Sequence, residues 1–145
     1  MPGEADPATP ARIIPELQEH NRAFWTGGGG GRLLIQRCTS CSLWVHPPAV
    51  DCPDCSGVLE PQPVSGRGEV FTYTVNHHPF NPAVPPPYVI ALVQLEEQDD
   101  LRIATNIVDC EPDSVNIGLP VEVRFERQDA GADTVYFPVF APSAG

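Results

Sequence analysis

Residues 38–55 read CTSCSLWVHPPAVDCPDC, and this stretch decides the fold of the first half of the chain. It contains two C-x-x-C pairs, Cys38 with Cys41 and Cys52 with Cys55, separated by ten residues. Each pair can direct two thiolates at one ion from a single turn, and two such pairs complete a tetrahedron. The spacing therefore predicts a structural metal site with zinc as the expected ion and iron as the alternative. Since four cysteines fill every position, the metal is not expected to activate water.

Disulfides or free thiols are the alternatives to a metal, and the cellular compartment decides between them. Residues 1–30 show neither a basic segment nor an apolar segment of the kind found in secretory signals, which predicts a cytoplasmic protein. A reducing cytosol disfavours disulfides, and Cys110 makes the cysteine count odd. Cys110 stands between Asp109 and Glu111, whose charges disfavour its thiolate, so we expect a bystander and not a nucleophile.

The charge of the chain narrows the function classes. Its 145 residues have a formal net charge of −11, with eight arginines and no lysine. Such an acidic surface repels the nucleic-acid backbone. The absence of lysine excludes a Schiff base formed by this chain. No apolar stretch approaches the ~20 residues that span a bilayer, so we expect no membrane partner.

The segment before the cysteines is predicted to contain a disordered tail, a short helix and a linker. Residues 1–11 are rich in Pro, Ala and acidic residues and predict disorder. Residues 12–31 predict a helix over 15–25 and a flexible linker in the run Gly27–Gly31. Four apolar residues lie roughly on one face of that helix: Ile14, Leu17, Phe24 and Trp25. Leu17, Phe24 and Trp25 are candidates for binding a protein partner; packing against the chain's own barrel is the alternative.

The remaining pattern is mainly β. Residues 32–64 predict a zinc ribbon, with a hairpin between the cysteine pairs and Trp44 packed over the metal. Residues 65–141 predict a small Greek-key barrel of the OB type, followed by a tail at 142–145. Five short strands separated by Pro, Gly and Asp clusters carry this prediction: 70–75, 88–95, 101–108, 121–125 and 135–137. The acidic run 96–100 between two of them is interpreted as a solvated hairpin turn in preference to a metal-binding loop.

The connection over 76–87 differs from the other loops because it holds two histidines, an aromatic residue and five prolines. Long loops in compact domains are usually functional or disordered, and proline stiffening favours function. His77 and His78 point opposite ways on an extended chain and form no chelating pair alone. Solvent or partner contact, a ligand site and acid/base chemistry are the three roles open to them.

These features together resemble a family of OB-fold, acyl-CoA-associated proteins with a rubredoxin-like zinc ribbon, encoded beside thiolase-like enzymes. The resemblance runs from Phe24 to Phe140. It is carried by the segments 32–38, 52–55, 66–70, 87–93 and 117–123 together, whereas each alone is weak. Ser42, Ala49 and the run 98–100 depart from the family pattern, which commonly has glycine, arginine and a turn glycine there.

The resemblance implies a non-catalytic subunit with structural zinc that forms a hetero-oligomer with a thiolase-superfamily partner and helps to form its acyl-CoA site. One branch implies retro-aldol cleavage of a steroid side-chain β-hydroxyacyl-CoA by an aldolase partner in bacterial steroid degradation. Five residues are then candidates for contact with the CoA ester: Arg67, His77, His78, Phe80 and Tyr88. Arg32 and Arg37, or arginines of the partner, would also offset the CoA phosphates. The rival classes are a stand-alone acyl-CoA-binding or hydrolysing protein and a nucleic-acid binder.

Overall fold

The computed structural model describes residues 14–78 and 85–143, which form a mainly β protein with one short α-helix. In these ranges α1 covers Arg22–Thr26, and 3₁₀ helices cover Gly27–Gly30 and Pro112–Ser114. One antiparallel sheet has the order β2-β1-β3, with β1 at Leu33–Cys38, β2 at Trp44–Val45 and β3 at Leu59–Val64. A barrel contains β4 (Arg67–Asn76), β5 (Tyr88–Leu95), β6 (Arg102–Ile107), β7 (Pro120–Ala130) and β8 (Asp133–Pro142). None of the described helices has the length and apolar character needed to cross a membrane.

The five barrel strands close in the order β4-β5-β6-β8-β7. Neighbouring strands are antiparallel except β6 and β8, which meet in parallel where Ile107 pairs with Phe140. This is the five-stranded Greek-key arrangement of an OB fold. Side chains along β5 alternate between the barrel interior and solvent: those of odd-numbered residues are buried, whereas Ile90 and Leu92 are exposed. The mainly β fold with an OB barrel is confirmed.

The sheet and the barrel share one hydrophobic core. The barrel interior is filled by apolar side chains with at most 2% of their surface exposed, among them Val70, Val93 and Phe140. Leu33 and Ile35 of β1 are equally buried and belong to the same cluster. One end of the three-stranded sheet is therefore anchored to the barrel by apolar packing.

Strand β3 was not predicted from the sequence because it contains two prolines. Pro61 and Pro63 lack the N–H group that a central strand needs, so proline usually counts against a strand. β3 lies at the edge of the sheet, where it pairs only with β1. Because the two prolines are two residues apart, their nitrogens both lie on the unpaired side of the strand. The backbone of the intervening Gln62 faces β1 and pairs with Ile35.

The N-terminal helix is shorter than predicted. We expected helix over 15–25, but α1 begins at Arg22. The Asn21 side chain supplies the reason, because its Oδ1 accepts a hydrogen bond from the Gln18 N–H at 2.7 Å and its Nδ2 donates to the Glu16 carbonyl at 3.1 Å. These side-chain bonds compete with those of a helix. The segment before Arg22 is consequently a turn.

The glycine run is a packed element, so the prediction of a flexible linker is wrong for it. Gly27–Gly30 form a 3₁₀ helix that lies against β7 and β8. A methyl group on Gly28 would lie 2.7 Å from Cδ1 of Phe125 and would also collide with Tyr136. Glycine at this position permits the close approach of the backbone to the barrel.

Candidate metal centre and adjacent groove

The four predicted ligands converge. The Sγ atoms of Cys38, Cys41, Cys52 and Cys55 all lie within 4.8 Å of one another. The Cys38 and Cys55 sulfurs are 3.4 Å apart, and those of Cys41 and Cys52 are 3.7 Å apart. Zn–S bonds of about 2.3 Å in a tetrahedron require sulfur separations of about 3.8 Å. The donor set therefore fits zinc, whose contribution at a closed site would be structural.

Each cysteine pair occupies a tight turn that needs special backbone geometry. Ser42 and Ser56, each directly after a pair, have positive φ angles of 66° and 63°. This left-handed conformation favours glycine, which explains why the family pattern has glycine where this chain has Ser42. Gly57 is required for a different reason, because an added methyl group would lie 2.8 Å from the Cys38 sulfur.

The sulfurs influence one another's protonation. Donation by the backbone N–H groups of Cys41 and Ser40, each 3.4 Å from the Cys38 sulfur, lowers the pKa of the Cys38 thiol to about 6. The neighbouring Cys38 sulfur raises the pKa of the Cys55 thiol to about 12. Four thiolates at this separation therefore need a cation among them, and metal binding must release protons.

Hydrogen bonds from the Gln36 side chain hold the loop between the two cysteine pairs in place. Its Oε1 accepts a hydrogen bond from the Ala49 N–H at 2.7 Å, and its Nε2 donates to the Ala49 carbonyl at 2.9 Å and to the His20 carbonyl at 3.2 Å. His46 in the same loop packs on Phe24, with ring centroids 4.9 Å apart. Burial lowers the pKa of His46 to about 4, so the ring is neutral near pH 7.

Trp44, predicted to pack over the metal, contacts the shared core and Arg37. Its ring packs against the shared core, and the Arg37 guanidinium stacks on it at 4.7 Å from the ring centroid. Arg37 Nε also donates to the Ser42 carbonyl at 3.0 Å. Arg37 is therefore part of the ribbon structure, which makes it a poor candidate for a phosphate contact.

A groove of about 480 Å³ lies where α1, the loop after β2 and the barrel meet. The residues that line it carry no charge at pH 7, although the chain has a net charge of −11. Its most prominent walls are the side chains of Trp25, His46, Pro47, Tyr88, Ile90 and Phe137. An uncharged groove on an acidic chain suits an apolar ligand or partner and excludes phosphate groups.

The predicted partner-binding residues have separate environments. Phe24 is buried with 7% of its surface exposed and belongs to the core, as the alternative of packing on the chain's own barrel requires. Trp25 is half-buried, packs on Phe137 at 5.5 Å between ring centroids and borders the groove. Leu17 is half-buried and lies before α1. Of these three residues, Trp25 has the best position to meet a partner.

Among the predicted CoA contacts that the structure describes, Arg67 lies apart from the other three. Tyr88 lines the groove, and exposed His77 and His78 lie at the same end of the barrel, because Tyr88 pairs with Asn76 next to them. Phe80 lies outside the described residues. Arg67 begins β4, so about 30 Å of extended strand separates it from the histidines.

Arg67 lies in a different cleft, of about 620 Å³, whose charged residues are mostly acidic. Four carboxylates line this cleft: Glu69, Glu96, Asp99 and Glu122. They repel the phosphates of a CoA ester. Arg67 is therefore a poor candidate for binding CoA.

The turn between β5 and β6 contains contacts that sequence reasoning missed. Gln98 Oε1 accepts a hydrogen bond from the Trp44 N–H at 3.1 Å, and Gln98 Nε2 donates to the Trp44 carbonyl at 3.0 Å. Glu97 Oε2 accepts from the Ser65 N–H at 2.7 Å. The turn therefore fastens the sheet to the barrel, whereas we expected only a solvated hairpin turn. The sole signal available was the departure of residues 98–100 from the family pattern.

A four-cysteine ribbon followed by a closed five-stranded barrel defines a zinc-ribbon/OB-fold protein. Residues 25–60 match the rubredoxin-like zinc ribbon domain of ChsH2, and residues 61–126 match the C-terminal OB-fold domain of ChsH2. The chain belongs to this ChsH2-type DUF35 family.

Relatives of two sizes share this domain. A DUF35 domain-containing scaffold protein of Methanothermobacter thermautotrophicus is 38% identical over 71% of this chain and 79% of its own length. A probable enoyl-CoA hydratase alpha subunit of Thermomonospora curvata is 37% identical over 91% of this chain and 40% of its own length. A 3-oxo-4,17-pregnadiene-20-carboxyl-CoA hydratase alpha subunit of Mycobacterium tuberculosis is 34% identical over 86% of this chain and 39% of its own length. The chain thus spans about two fifths of these hydratase subunits.

A solved structure described as an Ltp2-ChsH2(DUF35) aldolase contains a chain of the same fold. It superposes with a TM-score of 0.75 and 39% sequence identity over 89% of this chain and 98% of that chain. The similarity therefore covers both the ribbon and the barrel.

Proposed function

We propose that this chain is a non-catalytic accessory subunit that binds a thiolase-superfamily aldolase and completes its site for an acyl-CoA substrate. The observation that carries the proposal is the 39% identity to a chain of the Ltp2-ChsH2(DUF35) aldolase, over 98% of that chain. The Methanothermobacter relative is named a scaffold protein, which supports a role in assembly. The reaction would be retro-aldol cleavage of a β-hydroxyacyl-CoA, with the chemistry in the partner.

The metal centre supports an accessory role. All four coordination positions of the expected zinc would be filled by cysteine, which leaves no position for water or substrate. The His46 ring, which a hydrolase could use, packs on Phe24 in the core. The role of zinc would be to shape the ribbon and the loop that borders the groove.

The groove is the proposed contact with the acyl group of the substrate or with an apolar surface of the aldolase. Trp25, Tyr88 and Ile90 provide an uncharged surface on which an acyl group or an apolar side chain of the aldolase could lie. His77 and His78 stand at its end and are proposed to approach the same ligand. The phosphates of CoA are assigned to cations of the partner, because Arg67 lies in the acidic cleft. A steroid side chain is the proposed acyl group, as the name of the mycobacterial relative suggests.

Co-expression with a thiolase-superfamily aldolase of the Ltp2 type tests the proposal. We expect a stable complex on size-exclusion chromatography that contains one zinc per copy of this chain. Cleavage of a β-hydroxyacyl-CoA should require both proteins. Trp25→Ala should weaken the complex at least about tenfold. Ile117→Ala, with 68% of its surface exposed, serves as the control and should leave the complex intact. Two proteins that never associate would overturn the proposal.

A stand-alone acyl-CoA-binding protein is the second candidate, favoured only by the uncharged groove. It predicts that this chain alone binds a medium- or long-chain acyl-CoA, with affinity reduced by Tyr88→Ala. Isothermal titration with the isolated chain distinguishes the two candidates. Nucleic-acid binding is disfavoured by the net charge of −11.

A further inference from the structure

The outer edge of β2 is completed by a side chain. Both the N–H and the carbonyl of Trp44 bond the Gln98 amide, at 3.1 and 3.0 Å. They face away from β1, because Trp44 and Arg37 form a pair across which no ladder bonds run. A primary amide offers the same donor and acceptor as a peptide group. The Gln98 side chain, which belongs to the barrel, therefore makes the pair of hydrogen bonds that a neighbouring strand would make with Trp44.

The same turn also holds the opposite side of the sheet. Ser65 directly follows β3, and its N–H donates to Glu97 Oε2 at 2.7 Å. The Glu96 N–H donates to the Arg67 carbonyl at 3.1 Å, just after the chain enters the barrel. The turn at residues 96–98 thus fastens the edge strand β2 and the exit from β3 at once.

Apart from its pairing with β1 and the packing of Trp44 and Val45, strand β2 is held through the cysteine turn that precedes it. It has only two residues, and Cys41 precedes Trp44 by three positions. The Cys38 N–H donates to the Leu43 carbonyl at 2.8 Å, which links β2 to the first cysteine turn. The far end of β1 is held by Leu33 and Ile35 in the shared core, independently of the metal.

We propose that the 96–98 turn couples the metal site to the groove. The metal fixes the cysteine turn and hence β2, and Gln98 fastens β2 to the barrel. His46 and Pro47 directly follow β2 and form one wall of the groove, so loss of either constraint should loosen this wall. Gln98 is therefore a positioning residue. The coupling is internal to this chain and stands independently of the proposed function.

Hydrogen exchange of the Trp44 amide tests the coupling in the full-length, zinc-loaded protein. Gln98→Ala should accelerate exchange at Trp44 about tenfold. Zinc content should stay at one per chain, and the buried Val93 amide in the barrel should be unaffected. Removal of zinc by a chelator should accelerate exchange at Trp44 by at least the same factor while Val93 remains protected. Gln98→Glu should have at least as large an effect, because it replaces the donor that contacts the Trp44 carbonyl at 3.0 Å and Asp100 Oδ1 at 2.8 Å with a negative oxygen.

Asp99→Ala is the matched control, because Asp99 is an exposed residue of the same turn. It should leave the Trp44 amide as protected as in the unmodified protein. Equal Trp44 exchange in the two variants would overturn the proposal, as would a Trp44 amide that stays protected after zinc removal.

Discussion

The three-stranded sheet and the five-stranded barrel differ in what holds their strands in place. Within residues 33–64 the buried aliphatic side chains are Leu33, Ile35 and Val45, and the two buried cysteines are metal-ligand candidates. The barrel instead has a continuous apolar interior around Phe140. A unit as small as the ribbon buries too little apolar surface to fold without a staple. The difference teaches that zinc and hydrophobic burial each stabilise a different part of one molecule.

Removal of the metal should break the ribbon and spare the barrel, which is the largest effect expected. Structural zinc sites of this kind contribute about 10–16 kcal/mol of binding free energy. Cys55→Ser should abolish stoichiometric zinc binding and remove the near-ultraviolet circular dichroism of Trp44. The far-ultraviolet spectrum of the barrel should persist. Cys110→Ser is the control and should keep zinc. A Cys55→Ser protein that still binds one zinc would contradict the assignment of the ligands.

Phe140→Ala should have the converse effect. The side chain is fully buried, so its truncation should destabilise the barrel by about 3–5 kcal/mol. At 25 °C the variant should still hold one zinc, because no ligand is altered. Urea unfolding followed by circular dichroism provides the measurement, with the exposed Ile117→Ala as control. A loss below about 1 kcal/mol would show that the barrel does not rely on its core.

His46 should make the junction between the two regions sensitive to acid. Its folded pKa of about 4 lies below the usual 6.5, so the unfolded chain binds a proton first as the pH falls. Stability should be full above pH 6.5 and decline by up to about 3 kcal/mol between pH 6.5 and 4.

Urea unfolding of the unmodified protein and of His46→Phe across this range gives the measurement. Acid also protonates the thiolates and releases metal, but it does so in both proteins. The difference between their curves therefore isolates the imidazole. Parallel curves would show that His46 titrates normally in the folded protein.

Ser42→Gly should stabilise the ribbon without changing the stability of the barrel. Ser42 has a φ of 66°, which glycine adopts without the strain that a side chain imposes. We expect a gain of about 0.5–1 kcal/mol in the thermal unfolding of the zinc-loaded ribbon, with no change in the barrel. Ser40→Gly, in the same cysteine turn but without a positive φ, should not stabilise. A destabilised Ser42→Gly variant would show that the Ser42 side chain compensates for the strain.

The parts of the fold with strong local signals were predictable from the sequence. The paired cysteines predicted the metal cluster, and an apolar run bounded by a proline-rich and an acidic segment predicted β5 with its bounds at 88–95. β3 was hidden because Pro61 and Pro63 are compatible with a strand only at an edge. Edge position is a property of the sheet as a whole. The same limitation applies to Gly28, whose need for glycine arises from the approach of Phe125 of β7.

Only part of the candidate site could be predicted from the sequence. Tyr88 was a candidate ligand contact and does line the groove, whereas His46 and Phe137 were not singled out. Gln98 is 54 positions from Trp44, and nothing local to a polar turn indicates that its amide will complete a distant strand. Long-range polar contacts of this kind follow from the packing of the two regions.

The two prolines of β3 also limit how copies of this chain can associate. An unprotected sheet edge can pair with a strand from another molecule and so seed ordered aggregates. Pro61 and Pro63 present no N–H groups along the open edge of β3, and Gln98 already occupies the backbone groups of Trp44 at the opposite edge. Strand addition at either side of this sheet is therefore disfavoured.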